Sequence, residues 1–169
     1  MLVYESTEQL LAEPEPRRYL HTVILTALRD KAEHAEIRFG DGDAVLYYRV
    51  DGRDWELFPT PDAVYPVLKE TIRSVARLVR PERPEVTVMA APPGAKFEPL
   101  EVGWLTYRLG PDWIDLVVRI DPREPFGSVR FEIDGAEEFA DAAGEALAGY
   151  ATVVEARDLD AVADAPDPP

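Results

Sequence analysis

Two turn signals divide residues 36–59 into three runs that are rich in β-branched and aromatic residues. The runs are EIRFG (36–40), AVLYYRV (44–50) and RDWELFP (53–59), and they are separated by Asp41-Gly42-Asp43 and by Asp51-Gly52. Asp-Gly favours a tight hairpin because both of its residues tolerate positive φ. The segment therefore predicts a three-stranded antiparallel meander, and it constrains the fold more than any other part of the chain.

Amphipathic helices are predicted on both sides of this meander. Residues 17–35 form the first, and residues 60–80, which begin with Thr60 as an N-cap and Pro61 at the first helical position, form the second. Residues 135–154 form the third. The apolar face of the first helix carries residues at helical spacing: Leu20, Val23, Ile24, Ala27, Leu28 and Lys31.

Four further strands are predicted after the second helix, at 85–90, 100–110, 112–121 and 128–134. The order of elements is then α-β-β-β-α-β-β-β-β-α. This order fits an α+β fold in which a mixed or antiparallel sheet of about six to seven strands carries two or three helices.

Charge and proline content divide the chain into three parts. Residues 1–16 include the stiff segment AEPEP and are predicted to be an N-terminal extension, residues 17–150 a single domain, and residues 151–169 an acidic, mobile tail. The net charge is −15, and residues 132–169 hold eleven acidic residues against Arg157 alone, so they supply about −10 of it. We expect the folded body to be only mildly acidic.

The composition leaves few routes to catalysis. No cysteine is present and His21 and His34 are the only histidines, so thiol nucleophiles, disulfides and Cys- or His-based metal sites have no residues to form them. The sequence has no Gly-x-x-x-x-Gly-Lys-Ser/Thr loop, no Gly-x-Gly-x-x-Gly after a strand and no Gly-x-Ser-x-Gly elbow. We predict no catalytic residue, no cofactor and no enzymatic activity.

The net charge also bears on partners and location. A chain of charge −15 repels phosphates and anionic membranes, so we expect no nucleic-acid partner. The N-terminus lacks the basic start and the apolar core of a signal peptide, and no apolar run approaches the ~20 residues that span a bilayer. We expect a cytoplasmic protein that does not insert into membranes.

A basic stripe on the predicted second helix suggests a binding role. The stripe consists of Lys69, Arg73, Arg77 and Arg80. At ~100° per residue, their spacing places all four within an arc of about 80°, away from the apolar face. They are candidate interaction residues for an acidic partner or for the acidic C-terminal segment of the same chain. The alternative is a solvated face whose charges interact weakly with Glu70 or Glu82.

The three tryptophans, Trp55, Trp104 and Trp113, all fall on predicted strands. We expect them in the core or on a face of the sheet, because aromatic residues fit a pleated, half-buried surface. Stacking on a ligand is the alternative.

Residues 25–59 and 103–133 resemble a known family. They are similar to the N-terminal, PAS-like domain that precedes the motor domain in type II secretion and type IV pilus assembly ATPases. Arg49-Val50-Asp51-Gly52 stands where that family has Arg-Ile/Val-Asp-Gly at the end of an arginine-rich strand, and residues 103–133 resemble the domain's last hairpin and strand. The likeness covers roughly residues 20–133 and implies a PAS-like fold.

The departures from the family suggest a changed role. The family's Asp-x-His is replaced by Glu-Ile-Arg at 36–38, and Val45 and Tyr47 replace two arginines that in the family face the motor domain and its nucleotide. A guanidinium suits phosphate because of its planar fork of donors, and only Arg49 remains here. The resemblance implies a stand-alone, degenerate regulatory module without a motor domain. Its partner would be a secretion or pilus ATPase, or another component of that machine.

A second hypothesis fits the acidic composition equally well. Small acidic secretion chaperones with the order α-β-β-β-α-β-β-α dimerise and hold a client along apolar grooves. Such a chaperone needs a stable dimer and an exposed groove, whereas the regulatory module needs neither. An enzyme is the third alternative and would need a deep pocket with converging Asp, Arg and His. The sequence leaves the partner and the oligomeric state open.

Overall fold

The computed structural model describes residues 1–79, 100–133 and 135–163, and of residues 155–163 it describes only the backbone. Within these ranges the chain forms helices α1 (Thr7–Leu11), α2 (Glu15–Arg29), α3 (Leu68–Val75) and α4 (Ala140–Ala163). The strands are β1 (Leu2–Tyr4), β2 (His34–Gly40), β3 (Asp43–Val50), β4 (Arg53–Pro59), β5 (Arg77–Val79), β6 (Glu101–Leu109), β7 (Asp112–Asp121) and β8 (Ser128–Glu132).

All eight of these strands belong to one mixed sheet. Its order is β1-β6-β7-β8-β2-β3-β4, and β5 also pairs with β6. The β1–β6 pair is parallel and the other pairs are antiparallel. The short strands β1 and β5 share one edge of β6, where they pair with residues 107–109 and 102–104. The α+β class is confirmed.

The meander predicted from residues 36–59 is also confirmed, as β2, β3 and β4 pair in sequence order. At the second turn Asp51 has φ 52° and Gly52 has φ 74°. Two positive φ values in a two-residue loop are the signature of a type I′ turn, whose twist matches that of the strands it joins. The turn dipeptide is therefore a structural element of the hairpin.

Helix α2 packs on the sheet through the residues predicted for its apolar face, and Leu20, Ile24 and Leu28 are buried there. Pro16 lies in its first turn, where a missing N–H costs no hydrogen bond. The helix ends at Arg29 because Lys31 adopts φ 56°, which is outside helical conformation. The prediction of a helix to residue 35 is wrong at this end, since His34 already begins β2.

The second predicted helix, 60–80, is largely wrong. A 3₁₀ turn at Tyr65–Val67 precedes α3, and the chain is extended at Ala76 (φ −94°, ψ 157°) before it enters β5. Pro66 lacks an amide donor, which delays the start of the helix. The helix stops early because β5 pairs closely with β6 at Gly103, where a Cβ would collide with the Arg77 carbonyl.

The predicted domain boundaries also differ from those of the structure. Residues 1–16 are part of the domain: β1 extends the sheet, Leu2 and Leu10 are fully buried, and Ser6 caps α1 by accepting a hydrogen bond from Gln9 N at 3.1 Å. Helix α4 continues to Ala163, so the predicted boundary at 150 falls inside it. Arg80, the predicted strand 85–90 and residues 164–169 lie outside the described residues.

The core lies between the helices and one face of the sheet. Alternate residues of the central strands point to the helices and are buried, among them Leu105 and Tyr107 of β6, Val118 of β7 and Phe131 of β8. The burial alternates strictly along β6, β7 and β8, as expected for an antiparallel sheet that is covered on one side.

Candidate protein-interaction surface

The candidate surface is the face of the sheet that points away from the core, here called the open face. It consists of the side chains at even positions of β2 (34–38), β4 (54–56), β6 (102–108) and β8 (128–132), and at odd positions of β3 (43–49), β5 (77–79) and β7 (113–121). None of these side chains is buried. The open face is therefore available for contact with another molecule.

Two tryptophans and a group of valines make part of the open face apolar. Trp104 is 53% exposed, Trp113 is 72% exposed and Val79 is 60% exposed. Trp104 of β6 lies opposite Val117 of β7, and Val79 of β5 lies opposite Val102 of β6. Large exposed aromatic groups on one face of a protein are typical of interaction surfaces.

The register of the strands arranges the open face in two continuous rows. The first row runs across the sheet through Arg77, Trp104, Val117, Glu132, His34, Arg49 and Asp54. The second runs through Val79, Val102, Arg119, Arg130, Glu36, Tyr47 and Glu56. Directly opposed side chains in a sheet lie about 5 Å apart, so each row is a chain of neighbouring groups.

Several charges in these rows form ion pairs within the chain. Arg119 Nε lies 3.1 Å from Glu132 Oε1, and Arg49 lies 3.2 Å from Glu33 and 3.3 Å from Asp54. The Arg38 guanidinium lies 4.1 Å from the centre of the Tyr47 ring. Exposed pairs of this kind contribute about 0.2–1 kcal/mol each, which orients the side chains but leaves them free to exchange partners.

Two arginines of the open face are less well paired. The Arg77 side chain is exposed and forms no hydrogen bond or ion pair with any residue in the described ranges. Arg130 donates from Nη2 to His34 Nδ1 at 3.0 Å, while its Nε is buried without a partner among those residues. Burial, and then the Arg130 charge, lower the pKa of His34. The imidazole is therefore a neutral acceptor for this guanidinium.

The predicted basic stripe does not form, because helix α3 ends at Val75. Lys69 is buried and donates to the carbonyls of Arg123 and Phe126 and to Glu124 Oε1, at 2.9–3.1 Å. Its ammonium ties the β7–β8 loop to α3 and is not available to a partner. The prediction of a helical stripe is therefore wrong, and so is its alternative of a solvated face for Lys69.

The other predicted interaction residues are placed differently from one another. Arg73 binds Glu101 at 2.7 Å and also Glu70, and the hydrogen bond to Glu101 is the main cause that raises the pKa of Arg73. Arg49 and Arg77 both belong to the open face, although they lie on β3 and β5. The structure thus places two of the predicted residues on one face of the sheet, five strand positions apart, on a surface that the sequence did not predict as a site.

The described cavities offer little for catalysis. One of about 370 Å³ lies beside Lys69 and is also lined by Phe39, Tyr65 and Glu124. All three donors of the Lys69 ammonium are already engaged, so this side chain presents no free polar atom to the cavity. The described ranges contain no group of three or more His, Asp or Glu that could hold a metal ion.

His21 is a core residue and lies away from the open face. Its Nδ1 is 2.8 Å from the Tyr107 hydroxyl, and its Nε2 has no partner in the described ranges. Burial, and secondly the charge of Arg17, lower the pKa of His21 to about 4. Burial also raises the pKa of Tyr107 well above its usual value. At neutral pH the pair is uncharged and holds α2 against β6.

The sequence matches no protein-family model and no curated protein. The PAS-like resemblance and a link to a secretion machine therefore stay predictions. No helix in the described ranges is long and apolar enough to cross a membrane.

Proposed function

We propose that the protein is a non-enzymatic protein-interaction module and that the open face is its binding surface. The observation that carries this proposal is the exposure of Trp104 and Trp113 on a sheet face that also presents the guanidinium of Arg77, which has no ion-pair partner among the described residues. Trp and Arg are the side chains most enriched among the residues that dominate binding energy at interfaces. The conclusion rests on this surface and does not depend on the family of the chain.

The apolar part of the open face is large enough to matter energetically. Trp104 and Trp113 together expose roughly 250 Å², on the basis of about 200 Å² for each complete side chain. At about 25 cal/mol per Å², burying this area gives a gross gain of roughly 6 kcal/mol. Association costs some 4–15 kcal/mol, so the tryptophans offset a substantial part of that cost.

A secretion or pilus ATPase, or another component of such a machine, remains our prediction for the partner. Glu33 and Asp54 already engage the Arg49 side chain, whereas the Arg77 side chain has no ion-pair partner among the described residues. Arg77 is the better candidate for a direct contact. We therefore expect recognition to be centred on β5 and β6.

The test is affinity capture of partner proteins by the wild-type chain and by two variants. One variant alters the open face of the sheet, and the other alters the face that carries the helices. Trp104→Glu places a charge on the open face. Trp55→Glu is the matched control, since Trp55 is 49% exposed but lies opposite Tyr48, on the helix side of the sheet. We expect Trp104→Glu to lose proteins that the wild type and Trp55→Glu both retain. Equal capture by all three chains would contradict the proposed function.

A further inference from the structure

We propose that the occupant of the open face is a second copy of this chain, bound face to face about a two-fold axis that runs along β8. This inference rests on the proposed function, and it puts a second copy of the chain, in place of a component of a secretion or pilus machine, on the same surface. It is carried by the distribution of charge over the open face, by the register of its two rows and by the area of the sheet.

The open face is close to neutral, although the whole chain carries −15. It holds six arginines (Arg38, Arg49, Arg77, Arg108, Arg119 and Arg130) and seven carboxylates (Glu36, Asp43, Asp54, Glu56, Asp115, Asp121 and Glu132), which give a net charge of −1. Two copies of a strongly acidic chain repel one another over most of their surface. At the open face, two copies can approach with little repulsion between their net charges.

The charge is also unevenly divided between the two halves of the open face. The half formed by β5–β8 has four of the arginines and three of the carboxylates, a local charge of +1. The half formed by β2–β4 has two arginines and four carboxylates, a local charge of −2. With Arg123, which is paired with Asp121, and Glu33, which is paired with Arg49, the local charges of the two halves become +2 and −3. Such a surface is complementary to a copy of itself that has been turned by 180°.

The proposed two-fold axis lies between the two sheets and is parallel to β8. A rotation of 180° about this axis places each row of one copy on the same row of the other copy, in the opposite order. Since β8 is the central position of each row, the axis places β5 over β4 of the second copy, β6 over β3 and β7 over β2. Arg77 then meets Asp54, Trp104 meets Arg49, and Arg119 meets Glu36. These contacts are a charge pair, a cation–π contact and a second charge pair, each made twice. In the second row, Val102 meets Tyr47.

The like-charged positions lie on the axis itself. Arg130 and Glu132 meet their own copies there, but they are two positions apart on the same strand, so each also has an opposite charge close to it. Glu132 in addition keeps its ion pair with Arg119. Each like-charged pair on the axis therefore has an opposite charge beside it.

The area is sufficient for a stable dimer. Seven strand positions at about 4.8 Å give a width of roughly 34 Å, and seven residues at about 3.3 Å give a length of roughly 23 Å. Each copy then contributes on the order of 800 Å², or about 1,600 Å² in total, which is the size of a standard specific interface. Two sheets in this arrangement pack about 10 Å apart, which places both sets of side chains in contact.

The experiment is light scattering on the full-length protein over a range of concentrations. We expect a mass of twice the chain's 18.9 kDa for the wild type and for Trp55→Glu. Arg77→Glu is expected to weaken the dimer about tenfold or more, because it places a carboxylate against Asp54 of the second copy. Trp104→Glu is expected to weaken the dimer by a similar factor, because it removes the apolar area of the indole and its contact with Arg49 of the second copy. Arg77→Glu is a clean test, since the Arg77 side chain forms no hydrogen bond or ion pair with the residues that the structure describes.

The charge exchange Arg77→Glu with Asp54→Arg tests the geometry. The pair is reversed in the double variant, so we expect the dimer to recover to within about threefold of wild type, whereas either single variant does not. A wild-type chain that stays monomeric at millimolar concentration overturns the inference. If Trp104→Glu nevertheless loses captured proteins, the proposed function stands and only the second copy is wrong. If capture is also unchanged, both fail.

Discussion

At the scale of single residues, His21 is the side chain most sensitive to pH. It is fully buried against Tyr107, Tyr4 packs edge-on against its ring, and the charge of Arg17 is near. Its pKa is about 4 in the folded protein, compared with about 6.5 when it is unfolded. The unfolded chain therefore binds more protons between these values. It follows that the free energy of unfolding is highest above pH 6.5 and falls as the pH decreases towards 4.

His21→Phe is expected to remove this part of the pH dependence. The wild type should lose about 2 to 3 kcal/mol of stability through His21 between pH 7.5 and pH 4.5, in addition to the contribution of its carboxylates. The variant keeps only the carboxylate contribution, so its loss should be smaller by that amount. Urea unfolding at both pH values measures the difference. Tyr107→Phe is the control, because it keeps the buried histidine and hence the slope. Equal slopes in the wild type and His21→Phe would refute the account of this residue.

At the scale of elements, β5 depends on a close approach to β6. Arg77–Val79 pairs with residues 102–104, and the backbone of Arg77 and Leu78 occupies the space that a Cβ of Gly103 would fill. This pairing brings Arg77 and Val79 to the open face. The position of one glycine in β6 thus decides whether the edge of the binding surface forms.

Gly103→Ala is expected to destabilise the protein by about 2 kcal/mol, because the obstructing atoms are backbone and cannot turn aside. Gly40→Ala is the matched control: its new methyl group would meet only the carboxylate end of Asp43, which can rotate away, and the expected cost is about 0.5 kcal/mol or less. Chemical denaturation of both variants checks this difference. Equal effects would show that β5 does not pack on β6 as described.

Local sequence signals predicted some elements well and others poorly. The meander β2–β4 was predictable because Asp51-Gly52 determines both the turn and the register of the strands it joins. Strand β5 was not, since residues 77–79 continue a helical pattern and become a strand only through pairing with β6. Strand β1 is three residues long, and its place depends on the distant residues 107–109. Contacts between residues far apart in sequence decide these short elements.

At the scale of the whole molecule, the sequence predicted the α+β fold class more readily than the candidate surface. The alternation of apolar and polar residues indicated strands with tryptophans on them, but not which face the helices would cover. That face is settled by the packing of α2 and α4, which leaves Trp104 and Trp113 exposed. The predicted basic stripe was wrong because it depended on the length of one helix, and residue 77 lies on a strand.

The central claim is that binding buries the open face, and tryptophan quenching tests it directly. Trp55→Phe/Trp113→Phe leaves Trp104 as the single tryptophan, whereas Trp104→Phe/Trp113→Phe leaves Trp55 on the other side of the sheet. Acrylamide quenching of the tryptophan fluorescence is measured for both variants at low and at high protein concentration. It is measured again after addition of any captured partner. The account predicts that Trp104 becomes protected by association while Trp55 stays accessible. Protection of Trp55 with unchanged quenching of Trp104 would contradict it.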